Sequence, residues 1–207
     1  MSRRVKLTGI IALSLVVLVA AGFYGWTRVA RYAAFPDALA VAERAERTQG
    51  WYVFAPDAEP SAGFVFYPGG LVDAAAYAPL MQRLADGGVL AVIVPMPLDL
   101  AVFGIGRAAA VIGAFPQVDT WVIGGHSLGG AMAAEFVKGD PAAIDGIALL
   151  ASYPAESTDL SGLPIRAFSI TGRNAGFSSD RSIMVRSTSS TAVGSSLTIC
   201  WVKSMAW

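Results

Sequence analysis

Apolar residues in this chain fall into three kinds of run, and each kind predicts a different element. Residues 7–26 hold no charged side chain, and about 20 apolar residues are what a helix needs to cross a bilayer. Arg3, Arg4 and Lys6 precede the run and Phe23, Tyr24 and Trp26 close it, which sets aromatic rings where membrane meets water. Short continuous apolar runs at residues 64–67 and 89–94 lack polar alternation and predict strands covered on both faces, as in a parallel sheet. Further strands are expected at 121–123, 144–151 and 165–171. The third kind has helical spacing, at residues 77–85 with Leu80, Met81 and Leu84, at 100–115 and at 131–138. Strands alternating with helices imply βαβ units, and so a parallel sheet with helices on both faces.

The rest of the pattern divides the chain into parts. Residues 1–26 form a transmembrane anchor or signal segment, and 27–50 a connector. Within the connector, residues 35–48 read as a helix with Asp37 as its N-cap and Gly50 as its stop. Residues 51–176 make the core, opening on a short β-rich run at 51–54. From 177 to 207 the pattern is lost: nine serines and three threonines accompany one acid, Asp180. This tail is expected to be poorly ordered. Val19 and Ala21 are small enough to precede a cleavage site, but the apolar core of a signal peptide is usually about 7–15 residues, shorter than this one. An uncleaved, single-pass anchor is therefore expected. The basic amino end puts the N-terminus inside and the domain on the extracytoplasmic side, an asymmetry that Arg28 and Arg31 weaken. If the segment is cleaved, the domain is secreted.

Composition narrows the chemistry. The 207 residues carry 15 basic and 15 acidic side chains, so no electrostatic footprint for nucleic acid exists. The single cysteine, Cys200, rules out an internal disulfide and a cysteine-rich metal site. No HExxH, paired cysteines or Gly-x-x-x-x-Gly-Lys loop is present, and Gly104-Ile105-Gly106 lacks the third glycine and the strand context of a dinucleotide fingerprint. No cofactor and no metal is expected. There is one histidine, His126.

The chain is organised around Gly125-His126-Ser127-Leu128-Gly129, which follows a strand-like run and precedes a helix-like one. This is the G-x-S-x-G pattern of a nucleophile elbow, a sharp turn presenting a serine hydroxyl at the top of a sheet. Its flanking positions must be small because the serine backbone is strained. The loop Tyr67-Pro68-Gly69-Gly70 ends an earlier strand. Together with the strand order, these motifs make residues 63–172 resemble the α/β-hydrolase superfamily, and within it the small bacterial dienelactone-hydrolase-like group.

The resemblance implies a serine hydrolase acting on a small ester or related acyl substrate, through a Ser, Asp/Glu and His triad in that chain order. Ser127 takes the place of the nucleophile. The oxyanion hole would combine the backbone N–H of Leu128 with one from the early loop, by position Gly70, with Leu71 as its neighbour. The family places its acid in a turn such as Gly-x-x-Asp-Gly after the strand equivalent to 165–171. This chain reads Gly172-Arg173-Asn174-Ala175-Gly176 there, leaving Asp180, Glu156 and Asp159 as acid candidates. The family histidine follows a last strand, and this chain has none after His126. His126 itself, adjacent to Ser127 on a turn where neighbouring side chains diverge, is expected to pack rather than to act as base. These departures share a boundary near residue 174, which suggests a truncated or frame-altered C-terminal segment. A catalytically incompetent hydrolase-fold scaffold is the alternative.

Overall fold

The computed structural model describes residues 3–170, with side chains from residue 7. The tail expected to be poorly ordered, and Asp180 within it, lie outside the described residues. The chain opens with helix α1, Arg3–Val29. Its segment Leu7–Val29 is apolar enough to cross a membrane, with mean hydropathy 2.3 and its most apolar 18-residue window exposed throughout. At 1.5 Å per residue its 23 residues reach about 35 Å, against about 30 Å of bilayer hydrocarbon.

The remainder folds around a seven-stranded sheet. Its strands are β1 Glu46–Thr48, β2 Trp51–Phe54, β3 Ala62–Tyr67, β4 Val89–Ile93, β5 Trp121–His126, β6 Gly146–Leu150 and β7 Arg166–Ile170. The spatial order is β1-β2-β4-β3-β5-β6-β7. From β4 to β7 every pairing is parallel. Helices α2 Pro36–Ala42, α3 Ala78–Asp86, α4 Arg107–Ala114 and α5 Leu128–Gly139 accompany it.

The runs of β3, β4 and β5 become strands because both faces are covered, whereas β7 is exposed along its length. In β3, Phe64 and Phe66 face a layer with Ala78, Met81 and Ala85 of α3. Val65 and Tyr67 face the opposite layer, with Val111 of α4 and Ala133, Ala134 and Val137 of α5. Each face thus takes alternate residues of one uninterrupted apolar run. Tyr67 is fully buried, and its hydroxyl is used twice: it donates to Ile105 C=O at 2.5 Å and accepts from Ala108 N–H at 2.8 Å. The second bond satisfies an amide in the first turn of α4, where no intrahelical acceptor exists. Burial pushes the Tyr67 phenol well above its ordinary 10.0.

Three expectations are corrected. The helix expected over 35–48 stops at Ala42, its N-cap is Phe35 rather than Asp37, and Glu46–Thr48 is a strand. Gln49 and Gly50, with φ of 52° and 85°, form the two-residue turn that joins β1 to β2. Both positions are left-handed, as a tight hairpin requires. The sheet is accordingly mixed, because β1 and β2 pair antiparallel with each other and β2 with β4. The helix expected over 100–115 is only α4; 3-10 turns at Pro97–Asp99 and Ala101–Phe103 precede it. Gly104, with φ −145° and ψ 24°, interrupts the helical pattern, and a Cβ there would lie 2.6 Å from Met96 Sδ.

Replacing Tyr67 by Phe leaves the Ile105 carbonyl and the Ala108 amide without their partner. Each orphaned group costs about 1–3 kcal/mol, so Tyr67→Phe should lower the unfolding free energy by at least about 1 kcal/mol in urea titration. An unchanged midpoint would show that these groups find other partners.

Candidate active site

Four parallel strands, β3 to β6, deliver their carboxyl ends to one edge of the domain, and each is followed by a residue in a rare conformation. Positive φ is found at Leu71 after β3, at Leu98 and Asp99 after β4, at Ser127 after β5 and at Ala151 after β6. Gln49 of the hairpin is the sole other such residue besides glycine among the described residues. Backbone strain of this kind, about 1–3 kcal/mol per residue, collects where function demands it.

Ser127 sits between β5 and α5 with φ 50° and ψ −121°. Three contacts hold it there. Its N–H donates to Leu150 C=O at 3.0 Å, continuing the ladder to β6. Its C=O accepts from the Ser152 hydroxyl at 2.6 Å and from the amides of Gly130 and Ala131 at 3.1 and 3.2 Å. The first turn of α5 presses on the end of β3, where any Cβ on Gly129 would overlap the carbonyl oxygens of Tyr67 and Pro68. Only glycine permits that approach. The Ser127 side chain is exposed, and its hydroxyl makes no hydrogen bond among the described residues.

The β3 loop lies beside it. A Cβ on Gly70 would lie 3.1 Å from the Leu128 side chain, so the loop and the start of α5 are in contact. Its amides are mostly committed: Gly69 N–H donates to the Tyr77 hydroxyl at 3.1 Å, Leu71 N–H to Asp99 C=O at 2.8 Å, and Val72 N–H to Gly69 C=O at 3.2 Å. Gly70 N–H has no acceptor among the described residues, and neither has Leu128 N–H at the first position of α5. Leu71, weighed from sequence as a neighbour of Gly70, is thereby removed as a free donor.

His126 holds the loop to the elbow. Its Nδ1 is 2.9 Å from the Tyr77 hydroxyl, which already accepts from Gly69. All three groups are satisfied when Tyr77 donates its proton to Nδ1 and the neutral ring carries its own proton on Nε2. Burial lowers the His126 pKa from 6.5 and raises that of Tyr77 from 10.0, so both stay neutral near pH 7. The tie leaves no room for a side chain at Gly69, where a Cβ would fall 2.6 Å from Nδ1. His126 is thus a packing and positioning residue in this structure.

The acid candidates are less well placed. Glu156 and Asp159 are exposed in the loop after β6. Hydrogen bonding from the Ser161 side chain, and secondarily from Ser161 N–H at 2.9 Å, lowers the Asp159 pKa. No hydrogen bond among the described residues joins Ser127 to a carboxylate or to an imidazole.

Sequence reasoning missed Tyr77, Ser152 and a cluster just beyond α1. Arg31 Nη2 is 3.1 Å from Asp73 Oδ1. Arg31 Nε is 3.0 Å from Asp99 Oδ2, off the N–H axis and therefore an ion-pair contact rather than a hydrogen bond. Asp99 is the residue whose carbonyl holds Leu71, so this cluster braces the β3 loop from behind. Nothing in the local sequence joins positions so far apart.

The profile of the alpha/beta hydrolase family matches residues 63–192, well over half of the chain, and the chain belongs to that family. No curated protein sequence matches it. Among solved structures, a probable hydrolytic enzyme from Pseudomonas aeruginosa PAO1 is similar at 18% identity and TM-score 0.44, covering 52% of this chain and 40% of that one. Native esterase 2 from Thermogutta terrifontis is similar at 18% identity and TM-score 0.42, covering 58% and 55%. The same esterase phosphonylated by sarin is similar at 17% identity and TM-score 0.43, covering 54% and 55%. The chain spans about half the length of these proteins or less.

The lowered pKa of His126 has a signed consequence. Between the folded value and 6.5 the unfolded chain binds a proton that the folded chain refuses. Stability therefore falls as pH drops through that window and is fully restored above it. Urea titrations at pH 7.5 and 5 should show a loss on acidification that is smaller in His126→Asn, whose amide oxygen can still accept from Tyr77. Equal losses in the two chains would mean that the ring charges freely in the folded protein.

Proposed function

We propose that this chain is a serine hydrolase of an ester or related acyl substrate, with Ser127 as nucleophile and the amides of Leu128 and Gly70 as its oxyanion hole. The observation that carries the reading is the exposed, strained Ser127 beside two amides that have no other acceptor. In such a site Ser127 Oγ attacks the acyl carbonyl carbon, the carbonyl electron pair moves to oxygen, and the two amides receive the resulting charge. A positioned donor of this kind is worth about 3 kcal/mol in the transition state. Collapse of the tetrahedral species expels the alcohol, and water then releases the acid from Ser127.

The hydroxyl proton needs an acceptor, and positioned general bases contribute about 10²–10⁴-fold. The one histidine of the 207 residues is committed to Tyr77. The chain is therefore assigned the nucleophile and the oxyanion half of the machinery, with slow turnover. Asp180, Glu156 and Asp159 are the acid candidates of this reading. The committed histidine also supports the second reading, a hydrolase-fold scaffold without turnover.

We further infer that α1 anchors the domain in a membrane. Its apolar length and its aromatic end at Phe23, Tyr24 and Trp26 support this, and the basic residues before it favour an extracytoplasmic domain. Cleavage within α1 would release a secreted domain instead.

A fluorophosphonate reagent discriminates the two functional readings. Full-length chain in detergent should be labelled at Ser127, more slowly than a complete triad would allow, and faster when imidazole supplies the absent base. Ser127→Ala should abolish the adduct in peptide mass analysis. Folded chain that resists the reagent even with imidazole would be the scaffold.

A further inference from the structure

The segment after α1 is not a free tether. Ala30 N–H continues the helix to Trp26 C=O at 2.9 Å. Tyr32 then pairs with the β3 loop: its N–H donates to Leu71 C=O at 2.7 Å and its C=O accepts from Asp73 N–H at 2.9 Å. Arg31 bridges Asp73 and Asp99, and Thr27, at 1% exposure, is buried at the end of the helix. Three peptide links separate Val29, the last residue of the apolar span, from Tyr32. Fully extended they reach about 10 Å. The headgroup layer on each side of a bilayer is about 5–8 Å thick. If α1 spans the membrane, the loop carrying Gly70 therefore lies within about 10 Å of the end of the span, at the headgroups or just above them.

The two ends of the sheet differ in what they expose. At the carboxyl edge Val29, Tyr32 and Phe35 are 87%, 70% and 70% exposed, and Val102, Phe103 and Tyr153 are 42%, 54% and 56% exposed. The last three stand in the loops that follow β4 and β6, on either side of the elbow. At the amino edge the exposed residues before β3, β5 and β6 include Ser61, Asp119, Thr120 and Asp145. An edge with large exposed apolar side chains fits a partner that is itself apolar, and aromatic residues favour the membrane interface.

Building on the two assignments made above, the span and the nucleophile, we propose that the carboxyl edge of the sheet rests in the headgroup layer of the bilayer that α1 crosses. The acyl substrate is then a membrane-resident amphiphile that reaches Ser127 laterally from the lipid, its ester carried at headgroup depth. Phe103 and Tyr153 enter the interface beside the elbow, while Arg28, 54% exposed and only 3.9 Å from Asp99, remains available to lipid phosphate.

Depth-dependent quenching reads this orientation without relying on turnover. Full-length chain with Cys200→Ser is reconstituted in phosphatidylcholine–phosphatidylglycerol vesicles, with a nitrobenzoxadiazole label at Phe103→Cys or at Asp119→Cys. The six residues of β5 put about 17 Å between these edges. The label at 103 should be quenched several-fold more than that at 119 by lipid bearing a headgroup nitroxide. Equal quenching, quenching only at 119, or failure of the chain to float with the vesicles overturns the proposal. A water-soluble fluorophosphonate and a long-chain one dissolved in the same vesicles then test the substrate class. Faster labelling of Ser127 by the lipid-borne reagent supports it, and reaction with the soluble reagent alone refutes it. If neither reacts, the hydrolase assignment falls, and the quenching still decides where the edge lies.

Discussion

Ser127 occupies a backbone conformation that an L-residue adopts only under constraint, with φ 50° and ψ −121°. The surrounding structure supplies that constraint from three directions. Leu150 and Ser152, at and beyond the end of β6, grip its amide and its carbonyl. Gly129 lets the first turn of α5 close against the carbonyls that end β3. About 1–3 kcal/mol of strain is thus offset by hydrogen bonds of about 1 kcal/mol each and by the buried contacts of α5. The outcome is a hydroxyl thrust out of the sheet with both of its backbone neighbours fixed.

The same edge explains the second half of the site. Pairing of the Tyr77 hydroxyl with both Gly69 N–H and His126 Nδ1 joins the β3 loop to the residue before Ser127. From the other side, Asp99 C=O takes the Leu71 amide, and Asp99 is itself engaged by Arg31. Between these two clamps Gly70 is left with its N–H unspent. An oxyanion donor contributes most when it is fixed beforehand and has no competing acceptor. The committed imidazole is the counterpart of that arrangement: the histidine that ties down the loop of Gly70 is engaged by Tyr77.

Much of this was legible in the amino-acid sequence, and the divisions have physical causes. The runs at 64–67 and 89–94 identified strands because burial on both faces removes polar alternation, a purely local signature. The sharp turn at Ser127 followed from the glycines around it, and the loop of Gly70 from its place after a strand. What stayed hidden depended on contacts distant along the chain. His126 and Tyr77 are 49 residues apart, and Ser152 is 25 residues from the serine whose carbonyl it holds. The helix expected over 100–115 is interrupted at Gly104, whose φ of −145° is not helical. Gly50, a helix stop by its local pattern, forms with Gln49 a hairpin turn that such a pattern suits equally well. Arg31, first noticed as a blemish in the charge asymmetry of α1, turned out to brace the β3 loop.

The central claim is that Ser127 faces two amides fixed in advance to receive developing negative charge. A crystal structure of the chain after reaction with a small phosphonate tests it most directly, because the phosphoryl oxygen occupies the place of the oxyanion. The adduct should lie on Ser127 Oγ with that oxygen about 2.7–3.1 Å from the backbone nitrogens of both Leu128 and Gly70. An adduct whose phosphoryl oxygen turns away from Gly70, or a serine that forms none, would contradict the account.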